Sequence, residues 1–400
     1  MSLQIGEPPV MRKTGRFALF ALGFRPFFLA AGVSALVLLG LWLALWQGVV
    51  PAGGYFTTLV EWHAHEMLFG YTAAVIAGFL LTAVKNWTGM AVPVGRTLVM
   101  LSLVWLLARL MVVTPGMPDM LVALVDLAFV PLVGWSLWRP LWYGQNKVNR
   151  MFLLIFAGMT LANLLVHLDV AGLGQGLWPR GIYLMVDMVL LVLLLVAGRV
   201  VPFFTEKAVP GARSTVRPWV EKATFMTMVA AALVELALPH GPWGGVLLLL
   251  AALVQAIRLG GWYHGGIWRV PILWVLHLGY AWLVLGLALR GLAGFDLLPY
   301  AVALHAITVG GIGVLTLGMM SRVALGHTGR NINDTGPLMP IAFGLLNLGA
   351  AVRVFGPLVM MEKFNLWINI AGGLWMLAFL AFVLVYTPIL VQPRVDGRPG

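Results

Sequence analysis

Eight histidines and no cysteine set the chemistry open to this 400-residue chain. Without thiolates there are no disulfides, iron–sulfur clusters or cysteine redox relays, so any metal must be held by His, Asp, Glu, Met or Tyr. His63 and His65 stand two apart beside Glu66. At ~100° per residue their rings point about 200° apart on a helix, so they address two different centres more readily than one shared ion. Capping or headgroup contact is the plainer reading of such residues, and a second imidazole beside a carboxylate weakens it. His167 shares a helix face with Asn163 and is followed by Asp169, an arrangement that hydrogen bonding explains as well as ligation. His277 and Tyr280 share another face one turn apart. His305 lies deep in an apolar stretch, as do four acids, Glu66, Asp126, Asp187 and Glu235. Ionisable groups in such stretches mark ligand sites or proton routes. Arg199 and Arg322 either extend to the interface or clamp an anionic group.

The elements that position these residues are membrane helices. Hydrophobic residues make up 61% of the chain and charged residues 10%, far from the balance of a soluble domain. Apolar runs separated by Pro, Gly and charge predict twelve spans in a single transmembrane domain, at about 27–48, 61–85, 94–113, 117–139, 147–170, 179–201, 216–238, 242–260, 271–290, 299–323, 336–355 and 365–390. An even count puts both termini on one side. That side, with the loops after even-numbered helices, collects 20 of the 25 basic residues; Arg109, Arg180, Arg290, Arg353 and Lys363 fall on the other. The split is a positive-inside signal for cytoplasmic termini. The net charge of +11 is therefore a topology signal and does not call for nucleic acid. The basic Met11–Arg16 stretch lacks a signal-peptide plan and is expected to stay uncleaved. In this topology His63, His65, His167 and His305 gather toward the periplasmic half, and His240 lies in a periplasmic loop. His264, His277 and His327 lie on the cytoplasmic side.

A sparse repeat runs through the chain. His65, Gly70, Gly78 and Thr88-Gly89 match His305, Gly310, Gly318 and Thr328-Gly329 at an offset of 240. Arg199-Val200 and Thr205 match Arg322-Val323 and Thr328 at an offset of 123. Helices 2, 6 and 10 then head three four-helix units, a plan that resembles the catalytic subunit of heme–copper oxidases, which also place a His-x-His helix between two centres. No phosphate-binding loop, dinucleotide fingerprint, Cys-x-x-Cys-His heme attachment or nucleophile elbow is present.

Several strings together carry a resemblance. Gly23-Phe-Arg-Pro-Phe-Phe28, His63-Ala-His-Glu-Met-Leu-Phe-Gly70, Asn86-Trp-Thr-Gly89, Pro202-Phe-Phe-Thr205, Leu276-His-Leu-Gly-Tyr280 and Gly326-His-Thr-Gly-Arg330 resemble the NnrS family over residues 20–390. The resemblance implies a bacterial inner-membrane protein containing heme (heme b) and copper, tied to nitric oxide and denitrification. With it, His65 and His305 are expected at one heme, with Arg199, Arg322 and His327 as further cofactor-binding residues. His63 is expected at a second metal with His167, and His277 is held in reserve as a ligand. Glu66 and Tyr280 are the candidate proton-handling residues. Copper suits an all-imidazole site, whereas nearby carboxylates would suit non-heme iron.

Three functions remain open at this stage. The first is reduction of nitric oxide to nitrous oxide, with electrons from quinol or a separate donor. The second is non-catalytic binding, sensing or protection. The third is transport, although discontinuous midplane helices are not evident.

Overall fold

The computed structural model describes residues 17–51 and 53–398; the basic Met11–Arg16 stretch lies outside them. The described chain is all-helical, without strands. Twelve long helices follow one another: α1 Phe24–Trp46, α2 Leu59–Thr88, α3 Arg96–Val113, α4 Asp119–Tyr143, α5 Lys147–Val170, α6 Leu177–Ala208, α7 Pro218–Ala237, α8 Pro242–Trp262, α9 Pro271–Ala293, α10 Tyr300–His327, α11 Leu338–Val359 and α12 Met361–Val391. Eleven are long and apolar enough to cross a membrane. The remaining one, α7, carries Glu221, Lys222 and Glu235, and both of its acids are paired with arginines of neighbouring helices. The protein is a polytopic helical membrane protein.

Local chemistry explains where the helices start and stop. Thr58 and Glu61 form a reciprocal capping box at the start of α2. Proline occupies the first turn of α7, α8 and α9, where a missing N–H leaves no hydrogen bond unmade. Arg25 donates to the carbonyls of Leu390 and Gln392, at 2.8 and 2.6 Å, and so satisfies the end of α12 from the start of α1.

Neighbouring helices pack in sequence order, and α1 closes against α12. Three helices are the most enclosed. In its most apolar stretch α2 is 89% buried, α6 78% and α10 72%, whereas the other eight spans lie between 39% and 56%. These are the three helices the repeat places at the head of each unit. The offset of 240 also has a backbone counterpart. Directly after His65 and His305, Glu66–Thr72 and Ala306–Gly313 wind as π-helix, and both helices end before a left-handed glycine, Gly89 and Gly329. By contrast α6 is α-helical throughout, so only α2 and α10 share this device.

Candidate functional site

The outer face of α2 turns its second histidine into a buried polar cluster. His65 is fully buried, with Nδ1 3.0 Å from Glu66 Oε1 and Nε2 3.1 Å from Asp126 Oδ2 and 3.2 Å from Asn163 Oδ1. His167 of α5 places Nε2 2.9 Å from the same Asp126 oxygen and Nδ1 2.9 Å from the Tyr55 hydroxyl. Asn163 donates to Asp126 at 2.7 Å. Arg109 of α3 donates to Glu66 at 2.6 Å and pairs with Asp126. Burial, and secondarily Asp119, pushes the Tyr55 phenol up to about 12, so the hydroxyl keeps its proton across physiological pH.

The donor logic of this cluster points to a cation. Both nitrogens of His65 face oxygen acceptors, yet a neutral imidazole carries only one proton. Proton-bearing Nδ1 satisfies Glu66 and leaves the Nε2 lone pair facing Asp126 and the Asn163 oxygen. Either a second proton or a metal ion resolves that conflict. His65, Asp126 and His167 each offer a ligand atom, all within 4.8 Å of one another. A carboxylate on the far nitrogen of His65 fixes the tautomer a metal ligand needs. The buried His/Asp/His cluster thus has the composition of a metal site.

The opposite side of α2 faces a different space. His63 and His305 line one cavity of about 310 Å³, at the lower end of ligand-pocket sizes. Its walls are mostly apolar, from α1, α2, α6, α10 and α12, with Trp42, Tyr71, Tyr183 and Trp375 among them. His63 Nδ1 is buried without a hydrogen-bond partner among the described residues, and its ring meets Trp42 edge-on at 5.0 Å. His305 Nδ1 donates to the Ala301 carbonyl at 2.6 Å, which leaves Nε2 as its free ligand atom. Arg353 of α11 enters the same cavity, with no acidic partner among the described residues. A smaller apolar pocket of about 50 Å³ shares Thr72 with the cavity.

The pairing is therefore the reverse of the sequence expectation. His63, not His65, shares a cavity with His305, and His65, not His63, meets His167. Register equivalence between His65 and His305 relates two halves of the chain and does not bring the residues together. Other candidates lie elsewhere. His277 donates from Nδ1 to Leu273 at 3.0 Å and lines neither place. The Tyr280 hydroxyl donates to Gln255 at 2.5 Å and accepts from Arg258 at 3.1 Å, in a separate network of α8 and α9. Arg322 lies on Phe204, Arg199 lies on Trp87, and His327 packs against Phe24. Arg322 is roughly 25 Å along α10 from His305 by helical rise, out of reach of the cavity. Asp169 accepts from the Leu177 backbone at 3.0 Å and closes a turn instead of joining the histidines.

Sequence reasoning named Asp126 only as an intramembrane acid, and missed Arg109, Tyr55 and Arg353 as partners. The usable signal was Arg109 itself, a guanidinium within an apolar stretch that needs a carboxylate nearby.

A sequence model of the NnrS protein family matches residues 18–394, nearly the whole chain. The chain belongs to the NnrS family. No curated protein matches it. Family membership links the chain to nitric oxide metabolism, and the strings quoted above fall on the parts just described. The His-x-His-Glu string supplies His63 to the cavity and His65 with Glu66 to the cluster. The Gly-Phe-Arg-Pro string supplies Arg25, which holds α1 to α12, and Phe24, whose N–H donates to Thr82 at 2.8 Å.

Proposed function

We propose that the cavity takes heme b, which His63 and His305 would hold, with Arg353 against its acid groups. The His65–Asp126–His167 cluster takes the second metal. Its donor set departs from the all-imidazole site that favoured copper, because a carboxylate joins two imidazoles; that composition also suits non-heme iron. In this reading nitric oxide is reduced in the cavity: two NO, two electrons and two protons give N2O and water. Bound heme would supply a route for the electrons, which come from quinol or a separate donor, and a place for nitric oxide once one of the two histidines gives up its hold. The chain's own residues hold the cofactor, keep the space apolar and admit a small neutral gas through walls such as those of the pocket at Thr72.

The observation that carries the reading is the pair of histidines from α2 and α10 facing one apolar cavity, one of them with an orphaned buried nitrogen. The basic-residue bias supports cytoplasmic termini, with which the cavity would lie in the periplasmic half, and the family resemblance supports a bacterial inner membrane.

One observation favours the non-catalytic alternative. Helix α2, about 10 Å across with its side chains, stands between the cavity and the cluster, so two metals there would not share one substrate-sized space. The test is purified protein with an electron donor, its pigment spectrum, metal content and gas output recorded together. Steady N2O production supports the enzyme. Nitric oxide uptake that stops at one equivalent supports a binding or sensing protein. A colourless protein without a Soret band overturns both and leaves transport.

A further inference from the structure

A second buried arginine cluster lies on the far side of the cavity. Arg290 of α9 donates to Asp187 of α6 at 2.5 and 3.3 Å and pairs with Glu235 of α7. All three are buried. Glu235 Oε1, the Tyr300 hydroxyl and Arg180 Nε are buried without a hydrogen-bond partner among the described residues. These orphans surround or adjoin a small pocket of about 10 Å³, close to the space one water needs. Arg180, Tyr183, Asp187, Glu235 and His240 line it.

The pocket connects two different places. Outward, His240 is exposed in the loop between α7 and α8 and holds a left-handed backbone, with φ 59°. Its ring packs edge-on against Tyr300 and Tyr183, at 4.0 and 4.8 Å. Inward, Tyr183 lines both this pocket and the cavity of His63 and His305. The Arg290 guanidinium lies 5.3 Å from the Tyr183 ring centroid. An exposed imidazole, a carboxylate oxygen with no donor among the described residues and a phenol at the cavity wall thus line one small pocket between loop and cavity.

We propose that His240, Glu235 and Tyr183 form the proton-entry route to the cavity, with one water at Glu235 and with Arg290, Asp187 and Arg180 holding it in place. The proposal rests on the reading of the cavity as the reductive site. There each N2O formed consumes two protons together with two electrons from the quinol or separate donor. Glu235 takes a proton from the His240 side and passes it inward, and reprotonation restores it. Nothing is oxidised or reduced along the route itself.

The test uses the full-length protein with its cofactors bound, and two readouts. One is nitric oxide consumption with excess reductant. The other is proton uptake on anaerobic reduction of the bound cofactors, followed with a pH dye and no nitric oxide present. Glu235→Gln is expected to slow both at least tenfold with the pigment spectrum unchanged. Glu235→Asp should recover much of the rate, and Tyr183→Phe, which removes one hydroxyl, should slow both several-fold. Wild-type rates of proton uptake in Glu235→Gln overturn the route, as does recovery by Gln equal to that by Asp. If the wild type takes up protons on reduction but consumes no nitric oxide, the proposed reaction fails and the dye readout still decides the route. No proton uptake by the wild type overturns the route.

Discussion

Two buried clusters in this bundle share a charge skeleton of one guanidinium and two carboxylates. Arg109 holds Glu66 and Asp126 across α2, α3 and α4; Arg290 holds Asp187 and Glu235 across α6, α7 and α9. Their neighbours differ. Around Asp126, two imidazoles and an amide converge within 3.2 Å of the two carboxylates, and His65 is left with acceptors on both sides. Around Glu235 no group of three ligand residues gathers among the described residues; one oxygen lacks a partner among them, beside a water-sized pocket that leads to an exposed loop. In the proposed reading the same ionic core serves a cation in one place and a mobile proton in the other. Charge alone does not assign the role; the surrounding donors and acceptors do.

The comparison can be broken most directly at its cores. Asp126→Ala and Asp187→Ala each leave a buried guanidinium short of a partner and are expected to cost about 3–5 kcal/mol. Thermal unfolding in detergent checks this, and only the Asp126 variant should also lose the second metal. If metal content falls equally in both, the distinction between the clusters is wrong. His167→Ala should remove most of the second metal and spare the Soret band, whereas His63→Ala or His305→Ala should remove the Soret band and spare the metal. Spectra and metal analysis on the same samples separate these outcomes, and the opposite pattern would restore the pairing expected from sequence. Tyr55→Phe removes only the hydroxyl 2.9 Å from His167, and should weaken metal affinity by about 10- to 100-fold, measured by competition with a chelator.

The smallest effect belongs to the outer end of the proton route. Burial and, after it, Arg290 hold His240 below its ordinary value. Protonation is then easier in the unfolded chain, so the contribution to stability is complete above the ordinary histidine range and is lost as pH falls below it. His240→Asn tolerates the left-handed backbone and should flatten the decline between pH 7.5 and 5 by less than about 0.5 kcal/mol, as befits an exposed position.

Much of the bundle was legible because hydropathy is a one-dimensional signal. Twelve apolar runs gave twelve helices, and α2, α6 and α10, picked out by a sparse repeat, are the most enclosed. Opposed surroundings for His63 and His65 followed from helical angle alone. Partners were not legible, since they depend on which helix stands beside α2. His65 meets α4 and α5 through Asp126 and His167, and nothing in the spacing of residues 61 and 102 positions away announces it. Tyr55 was hidden for another reason: it comes from a loop, where periodicity carries no information.

The π segments have a consequence for angular phase. Glu66–Thr72 and Ala306–Gly313 each wind more loosely than the α-helix that continues below them. Winding either segment at α-helical pitch with all of its residues kept would turn everything above it by roughly 100° against everything below. In α2 that rotation would swing His63 away from the cavity and His65 away from Asp126 in a single step. In α10 it would carry His305 out of the cavity. The histidines are thus set by looser winding at two equivalent points of the chain, and a change that tightens either segment without removing a residue is a coarser lesion than replacing any one ligand.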